Sequence, residues 1–338
     1  MNRCRPSSCR CPFDAVLIIS FGGPRGRADV GPFLKNVLGA RHASGARIEE
    51  AAGKYLRFNG VSPLPELTQR QARGLQKRLQ HRGIDLTVYV GMRNWHPLIA
   101  DVLCEMSRAG VRRAIGFIAA AHHCYPSCGQ YKQNVIDARH TLRERGLPDI
   151  RITYVDSWYD HDGFVAVLAR HIREGLSKLD PALGDEARIV FTAHSLPTAV
   201  AETCRYQEQL AATARLVAQE LRRRDYALVY QSRSGRPEDP WLEPDICDYL
   251  RAERAKGLRA VVISPIGFIC ENIELLFDLD VRAAEVCREL NLPMVRAETV
   301  NDDPVFLHMM ADVVQQTWQR YREFPPLPIV GTGKDTES

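Results

Sequence analysis

His194 closes the apolar run Ile189-Val190-Phe191 and stands just before Ser195-Leu196-Pro197, where the proline ends an extended segment and turns the chain. A neutral imidazole at a cleft is the side chain best suited to take a proton near pH 7. The plain alternative is a core histidine donating to a backbone carbonyl. Glu271, Glu274 and Asp278 fall on a helix expected to begin near Cys270, and Glu274 and Asp278, at i and i+4, share a face beside Leu275, Leu276 and Phe277. Such a carboxylate pair binds a hard or borderline cation or relays protons. A solvated acidic face is the alternative, and the apolar opening Pro265-Ile266-Gly267-Phe268-Ile269 argues against it. His122, His123, Cys124 and Cys128 have the ligand types of a soft-metal site, although adjacent histidines at a strand end point opposite ways. Cys4, Cys9 and Cys11 form a C-x4-C-x-C cluster among arginines, with free thiols as the plain alternative. Gly22-Gly23-x-x-Gly26 lacks both nucleotide fingerprints and carries Pro24, so no nucleotide is expected.

Side chains of this kind need elements to position them. Short aliphatic and β-branched runs stand at 15–21, 87–91, 114–120, 151–156, 188–193, 226–231, 260–266 and 294–299, and predict eight strands. Between them lie amphipathic segments, the longest from Glu202 to Arg224 and from Asp303 to Tyr321. Continuous apolar strands alternating with amphipathic helices are what a parallel sheet covered on both faces produces, so the fold class is α/β. The runs divide into two sets of four around Ser157 to Gly163. The expected organisation is a Cys- and Arg-rich tail over 1–12, a first lobe over 13–158, a second over 159–323 and a C-terminal tail over 324–338. Ligands of open parallel sheets sit beyond the carboxyl ends of the strands, where His122-His123, His194-Ser195 and Gln231-Ser232-Arg233 all fall.

Composition narrows the class. In 338 residues, 45% are hydrophobic, 25% charged and 8% aromatic, which excludes a disordered or fibrous chain. The net charge is +4, and Arg3, Arg5 and Arg10 supply three of those charges, so no nucleic-acid partner is expected. No apolar stretch approaches the ~18 to 20 residues of a spanning helix. The short apolar run Ala15 to Ser20 breaks at Gly22-Gly23-Pro24 and reads as a buried strand, not a secretory leader. Ten unevenly spaced cysteines do not form a disulfide framework, which favours a reducing cytoplasm.

Several strings become specific when taken together. They are Phe21-Gly22-Gly23-Pro24, Asp29-Val30-x-Pro32-Phe33-Leu34, Gly60-Val61-Ser62-Pro63-Leu64 and Gly91-Met92-Arg93-Asn94-Trp95-His96-Pro97 in the first half. The second half adds Thr192-Ala193-His194-Ser195-Leu196-Pro197, Tyr230-Gln231-Ser232-Arg233, Pro240-Trp241-Leu242-x-Pro244 and Pro265-Ile266-Gly267-Phe268 running to Glu274. From about Phe13 to Tyr321 the chain resembles ferrochelatase, the enzyme that inserts ferrous iron into a porphyrin in haem synthesis. The resemblance implies two Rossmann-like lobes, each with a four-stranded parallel sheet flanked by helices, and a porphyrin between them. It implies that His194 accepts pyrrole protons, that Glu274 faces it, and that His194, Glu274 and Asp278 handle Fe2+. Phe21, Trp95 and Phe268 become porphyrin walls, with Trp241 equally suited to core packing, and Lys54, Arg57 and Ser62 become partners for propionates.

The chain departs from the family pattern in places. Asn272 stands where a histidine is usual, Arg282 interrupts an acidic ridge beyond Glu274, and Phe21 takes a position where some members carry tyrosine or methionine. Some ferrochelatases hold a [2Fe-2S] cluster, and Cys128 resembles its mid-lobe ligand; the expectation is that Cys4, Cys9 and Cys11 supply the other three. The substrate is coproporphyrin III or protoporphyrin IX, with a lean to the former. A monomer, with peripheral contact to a membrane or to a haem-pathway protein, completes the expectation. The competing readings are a non-catalytic haem- or cluster-binding sensor on the same fold and a cobalt or nickel chelatase of a related tetrapyrrole.

Overall fold

The computed structural model describes residues 12–39, 45–124, 128–234 and 238–323. In the first lobe the chain runs β1 (Ala15–Ser20), α1 (Arg27–Leu38), α2 (Gly45–Leu56), α3 (Leu64–His81), β2 (Thr87–Met92), α4 (Ile99–Arg108), β3 (Arg113–Ile118), α5 (Gln130–Glu144) and β4 (Arg151–Tyr154). After α6 (Asp162–Leu176) and α7 (Pro181–Gly184) come β5 (Arg188–His194), α8 (Thr198–Ala201), α9 (Tyr206–Glu220), β6 (Tyr226–Gln231), α10 (Ile246–Ala255) and β7 (Val261–Ser264). The chain then forms α11 (Ile273–Leu275), a π-helical segment Leu276–Ala283, α12 (Ala284–Glu289), β8 (Met294–Arg296) and α13 (Pro304–Glu323). All eight expected strands are present, in two parallel sheets ordered β2-β1-β3-β4 and β6-β5-β7-β8.

The continuous apolar runs follow from coverage on both faces. Along β1, Val16 and Ile18 enter one core while Ala15, Leu17 and Ile19 enter another. Along β5, Ile189, Phe191 and Ala193 join the same core as Val16 and Ile18, whereas Val190 faces α10 and the π-helical segment. The inner faces of the two sheets therefore share one core. Phe117 stacks on Trp158 at 5.5 Å, and Trp158 meets Phe164 edge-on at 5.3 Å and Phe306 at 5.7 Å.

The last helix serves both lobes. It packs on α3 of the first and α6 of the second, and Arg82 Nη1 reaches Asp312 Oδ1 at 2.8 Å. β1 to β4 and β5 to β8 thus form separate sheets, with α13 packed on helices beside both.

Two local expectations need correction. The helix expected over Glu202 to Arg224 is shorter, running as α9 from Tyr206 to Glu220; before it the short α8 closes in a turn where Thr203 Oγ1 and Cys204 Sγ donate to the carbonyls of Val200 and Ala201. The helix expected near Cys270 begins at Ile273, where Asn272 Oδ1 caps it by accepting from Leu275 N at 3.0 Å. Among the described residues no helix is long and apolar enough to cross a membrane.

Candidate active site

β5 delivers His194 to the carboxyl edge of the second sheet, on the face shared by Val190 and Thr192. Its Nδ1 lies 2.5 Å from Ser195 O. A carbonyl only accepts, so Nδ1 is the donor there, and in the neutral imidazole Nε2 carries the lone pair. Nε2 faces Glu274 Oε2 at 3.9 Å, and both side chains are about one third exposed, at 34% and 35%. That separation is too long for a hydrogen bond. With metal–ligand bonds of about 2.1 Å, one divalent ion fits between the two atoms. The arrangement thus combines a proton acceptor with a one-ion gap, open to a ligand in the cleft. The plain reading of His194, an imidazole bonded to a backbone carbonyl, holds as well, and it is what frees Nε2.

Asp278 leaves this set. The chain is π-helical from Leu276, and Asp278 is buried and committed to partners of its own, whereas Glu274 stays about one third exposed. The Asp278 carboxylate is 4% exposed, accepts from Ser232 Oγ, and accepts from Arg282 Nη1 at 3.1 Å. Arg282 also lies 3.9 Å from Asp245. The residue that interrupts the acidic ridge therefore neutralises its first carboxylate. Glu271 is likewise committed, accepting from Arg296 Nη1 at 2.9 Å and from Thr299 N at 3.1 Å.

The opposite wall comes from the first lobe. Phe21 and Trp95 pack partly buried around the cluster Val30, Phe33, Leu34, Tyr55 and Ile273. Asn94 holds their backbones together, donating from N and Nδ2 to Phe21 O at 3.1 and 3.2 Å. Trp95 Nε1 donates to Asp29 Oδ2 at 3.1 Å. Ile273 reaches this cluster from the second lobe, so the wall and Glu274 are adjacent. Burial, and then the charge of Glu274, push the Tyr55 phenol well above its usual range, so it stays protonated. Tyr55 escaped sequence reading because only its neighbours Lys54 and Arg57 carry charge.

Lys54 and Arg57 are engaged across the cleft. Lys54 Nζ sits 5.4 Å from the Phe277 ring centroid, and Arg57 Nη2 lies 3.6 Å from Glu285 Oε1. Ser62 is buried, its N donating to Pro24 O at 2.9 Å. A Cβ on Gly23 would stand 2.7 Å from the Ser62 side chain, which explains why glycine is needed there. Phe268 packs partly buried against the outer core of the second lobe, and Trp241 is half-buried.

The soft-metal site expected at His122, His123, Cys124 and Cys128 does not assemble. His122 is buried with Nε2 3.0 Å from Thr213 Oγ1, and Cys128 Sγ donates to Cys124 O at 3.2 Å. Among the described residues no three His, Cys, Asp or Glu side chains gather around a metal position. Cys4, Cys9 and Cys11 lie outside the described residues. Of the four expected cluster ligands, Cys128 alone lies among the described residues.

Two parallel sheets of the same order, with a histidine and a carboxylate facing each other at one sheet's carboxyl edge, define a chelatase fold. SirB from Bacillus subtilis with Fe3+ and the cobalt complex of the sirohydrochlorin chelatase SirB from B. subtilis subspecies spizizenii superpose with TM-scores of 0.58 and 0.54. Each match covers 92% of this chain and 98% of the other at 10% identity, so the likeness is one of fold. The ferrochelatase family model matches residues 13–318. The ferrochelatase of Rhodopirellula baltica is 41% identical over 96% of this chain and 92% of its own. The coproporphyrin III ferrochelatases of Streptomyces coelicolor and Nocardia farcinica are 40% and 39% identical, over 90% of this chain and 85% and 88% of theirs. The chain belongs to the ferrochelatase family and is an enzyme that inserts ferrous iron into a porphyrin.

Proposed function

We propose that this ferrochelatase metallates coproporphyrin III, with His194 Nε2 taking the pyrrole protons and Glu274 offering a carboxylate to the incoming Fe2+. The observation that carries the reading is the 3.9 Å gap between a lone-pair nitrogen and a carboxylate oxygen at the cleft. The reaction balances as porphyrin with two N–H groups plus Fe2+ giving iron porphyrin plus two protons. One acceptor at a time suffices, because His194 is open to solvent and can release the first proton before taking the second. A planar macrocycle hides its nitrogens until bent, and Phe21, Trp95 and Phe268 are the walls against which bending is enforced. The four propionates of coproporphyrin ask for more cations than the two of protoporphyrin, and Lys54 and Arg57 at the cleft edge, with the Ser62 hydroxyl behind them, supply partners. Two coproporphyrin-using relatives near 40% identity favour the same choice.

The test is an anaerobic assay with Fe2+ and each porphyrin separately, following the loss of porphyrin fluorescence. Preferential turnover of coproporphyrin III is expected. Preference for protoporphyrin IX overturns the substrate assignment, and stoichiometric binding without metallation by either would favour a sensor. A [2Fe-2S] cluster on Cys4, Cys9, Cys11 and Cys128 has the half-exposed Cys128 thiol as its described support. Iron content and visible absorbance of anaerobically purified protein, against Cys128→Ser, decide it. The enzyme is expected to be a cytoplasmic monomer, and the exposed Leu56 and Val61 at the cleft rim offer the surface for a peripheral membrane contact.

A further inference from the structure

β5 ends with an unbalanced ladder. On the β6 side, pairing continues through His194 opposite Gln231, and Ser195 N donates to Gln231 O at 2.8 Å. On the β7 side, pairing stops at Phe191 opposite Ser264, because Pro265 turns the chain, and the last bond there is Gly267 N to Thr192 O at 3.1 Å. The next carbonyl on that side is His194 O, which has lost its strand partner and would be left unpaired inside the protein. Tyr206, the first residue of α9, fills the place: its hydroxyl donates to His194 O at 3.0 Å.

We propose that Tyr206 is a positioning residue for His194, pinning the peptide from which the imidazole is aimed at the cleft. The inference rests on the reading that His194 takes the pyrrole protons. The peptide joining His194 to Ser195 is held at both ends, by Tyr206 on its oxygen and by Gln231 O on its nitrogen. Ser195 is anchored in turn by Oγ donating to Leu242 O at 2.8 Å, and it presents the carbonyl that accepts from His194 Nδ1. Imidazole orientation, tautomer and the 3.9 Å gap to Glu274 therefore depend on this peptide and on the Ser195 carbonyl that follows it. Without the phenol hydroxyl the peptide keeps its hold at Ser195 N but loses it at His194 O, so it can tilt, shifting the acceptor of Nδ1 and moving Nε2 off the line to Glu274.

The ring of Tyr206 is held by the other lobe. His122, just past β3, meets it edge-on at 6.3 Å with an interplanar angle of 88°. His122 is fixed through Nε2 on Thr213 Oγ1, while Thr213 spends its own proton on carbonyls, including Tyr159 O at 2.8 Å. A first-lobe histidine thus braces the tyrosine that sets a second-lobe base. Burial pushes the Tyr206 phenol well above its usual range, so it remains a donor throughout the working pH range.

Tyr206→Phe keeps the ring and removes the hydroxyl. The expected result is a kcat lowered about 10- to 100-fold with KM for porphyrin and for Fe2+ within about twofold of wild type. In 15N-histidine NMR spectra, with the His194 signals assigned by their absence in His194→Gln, wild type should show one Nδ1–H tautomer and the variant an averaged pair. A role confined to stability would lower Tm and leave both readouts unchanged. Wild-type kcat, or an unaltered His194 tautomer, overturns the proposal. If Tyr206→Phe does not fold, Tyr206→Met, which fills the space flexibly and also lacks the hydroxyl, is read the same way. The tautomer requires no turnover, so failure of the proton-acceptor reading and failure of the positioning role are told apart.

Discussion

Nε2 of His194 and Oε2 of Glu274 face each other across 3.9 Å, one from the end of a strand and the other from the first turn of a helix in the same lobe. The pair is complementary: one atom is a base with its proton-bearing nitrogen already committed, the other a negative oxygen. Replacing His194 with Ala should lower kcat by about 10²- to 10⁴-fold, the usual worth of a positioned proton acceptor, with porphyrin affinity retained. Fluorescence quenching for binding and anaerobic turnover for kcat check both halves of the expectation.

Glu274 and Asp278 should respond differently. Glu274→Gln removes the anionic side of the ion gap and should raise KM for Fe2+ strongly, about tenfold or more. Asp278→Asn leaves that gap intact and should change KM for Fe2+ less than about twofold. The cost of Asp278→Ala should appear as stability, about 2 to 4 kcal/mol, because Arg282 and Ser232 lose a shared buried acceptor. Fe2+ titrations beside urea melts separate the two effects; a large KM change in Asp278→Asn would return that residue to the ligand set.

Arg57 is held by Glu285, and both side chains are about half exposed. The bridge is therefore of little worth to the fold, below about 1 kcal/mol. Glu285→Gln should leave Tm nearly unchanged while freeing the guanidinium for a propionate, lowering KM for coproporphyrin about threefold at low salt. Arg57→Ala should raise it. Salt titration of KM checks the sign, since the difference between the variants should fade as screening increases.

His122 supplies a pH dependence of stability. Burial, reinforced by His123, lowers its pKa from 6.5 to about 3. The unfolded chain takes the proton first as pH falls, so between 6.5 and about 3 the unfolded state binds more protons than the folded one. Stability should be full above 6.5 and decline on acidification, by up to about 1.4 kcal/mol per pH unit from this group. His122→Phe should flatten that portion of the curve in urea melts from pH 7 to 4; a slope equal to wild type would show that other groups set it.

The strands were legible because each is covered on both faces and so reads as an uninterrupted apolar run, as Ala15 to Ser20 and Ile189 to Ala193 do. His194 and Glu274 were singled out by the strings around them, and the structure places them 3.9 Å apart. Asp278 was read as a ligand because its burial and its bond to Ser232, 46 residues away in the chain, show in no local pattern. Tyr206 was hidden for a related reason. Its role depends on where β7 stops pairing with β5, a relation between segments some sixty residues apart that no local pattern carries. Lys54 and Arg57 were found as cations, but their second-lobe partners Phe277 and Glu285 lie more than two hundred residues away in the chain.

The shared core has a bearing on synthesis. Val16 and Ile18 of the first strand lie in one cluster with Phe306, Met310 and Val314 of the last helix. A growing chain can pair β1 with β2 and β3 as soon as they emerge, and Leu75 and Leu79 of α3 cover part of that sheet's inner face, yet the cover from Phe306, Met310 and Val314 arrives only when the final helix leaves the ribosome. The nascent first lobe must wait with part of its inner face open, the kind of species that chaperones hold. A chain terminated before Pro304 would lose the helix that packs on both α3 and α6, opening the core the two lobes share, where a true two-domain protein would keep at least one half intact.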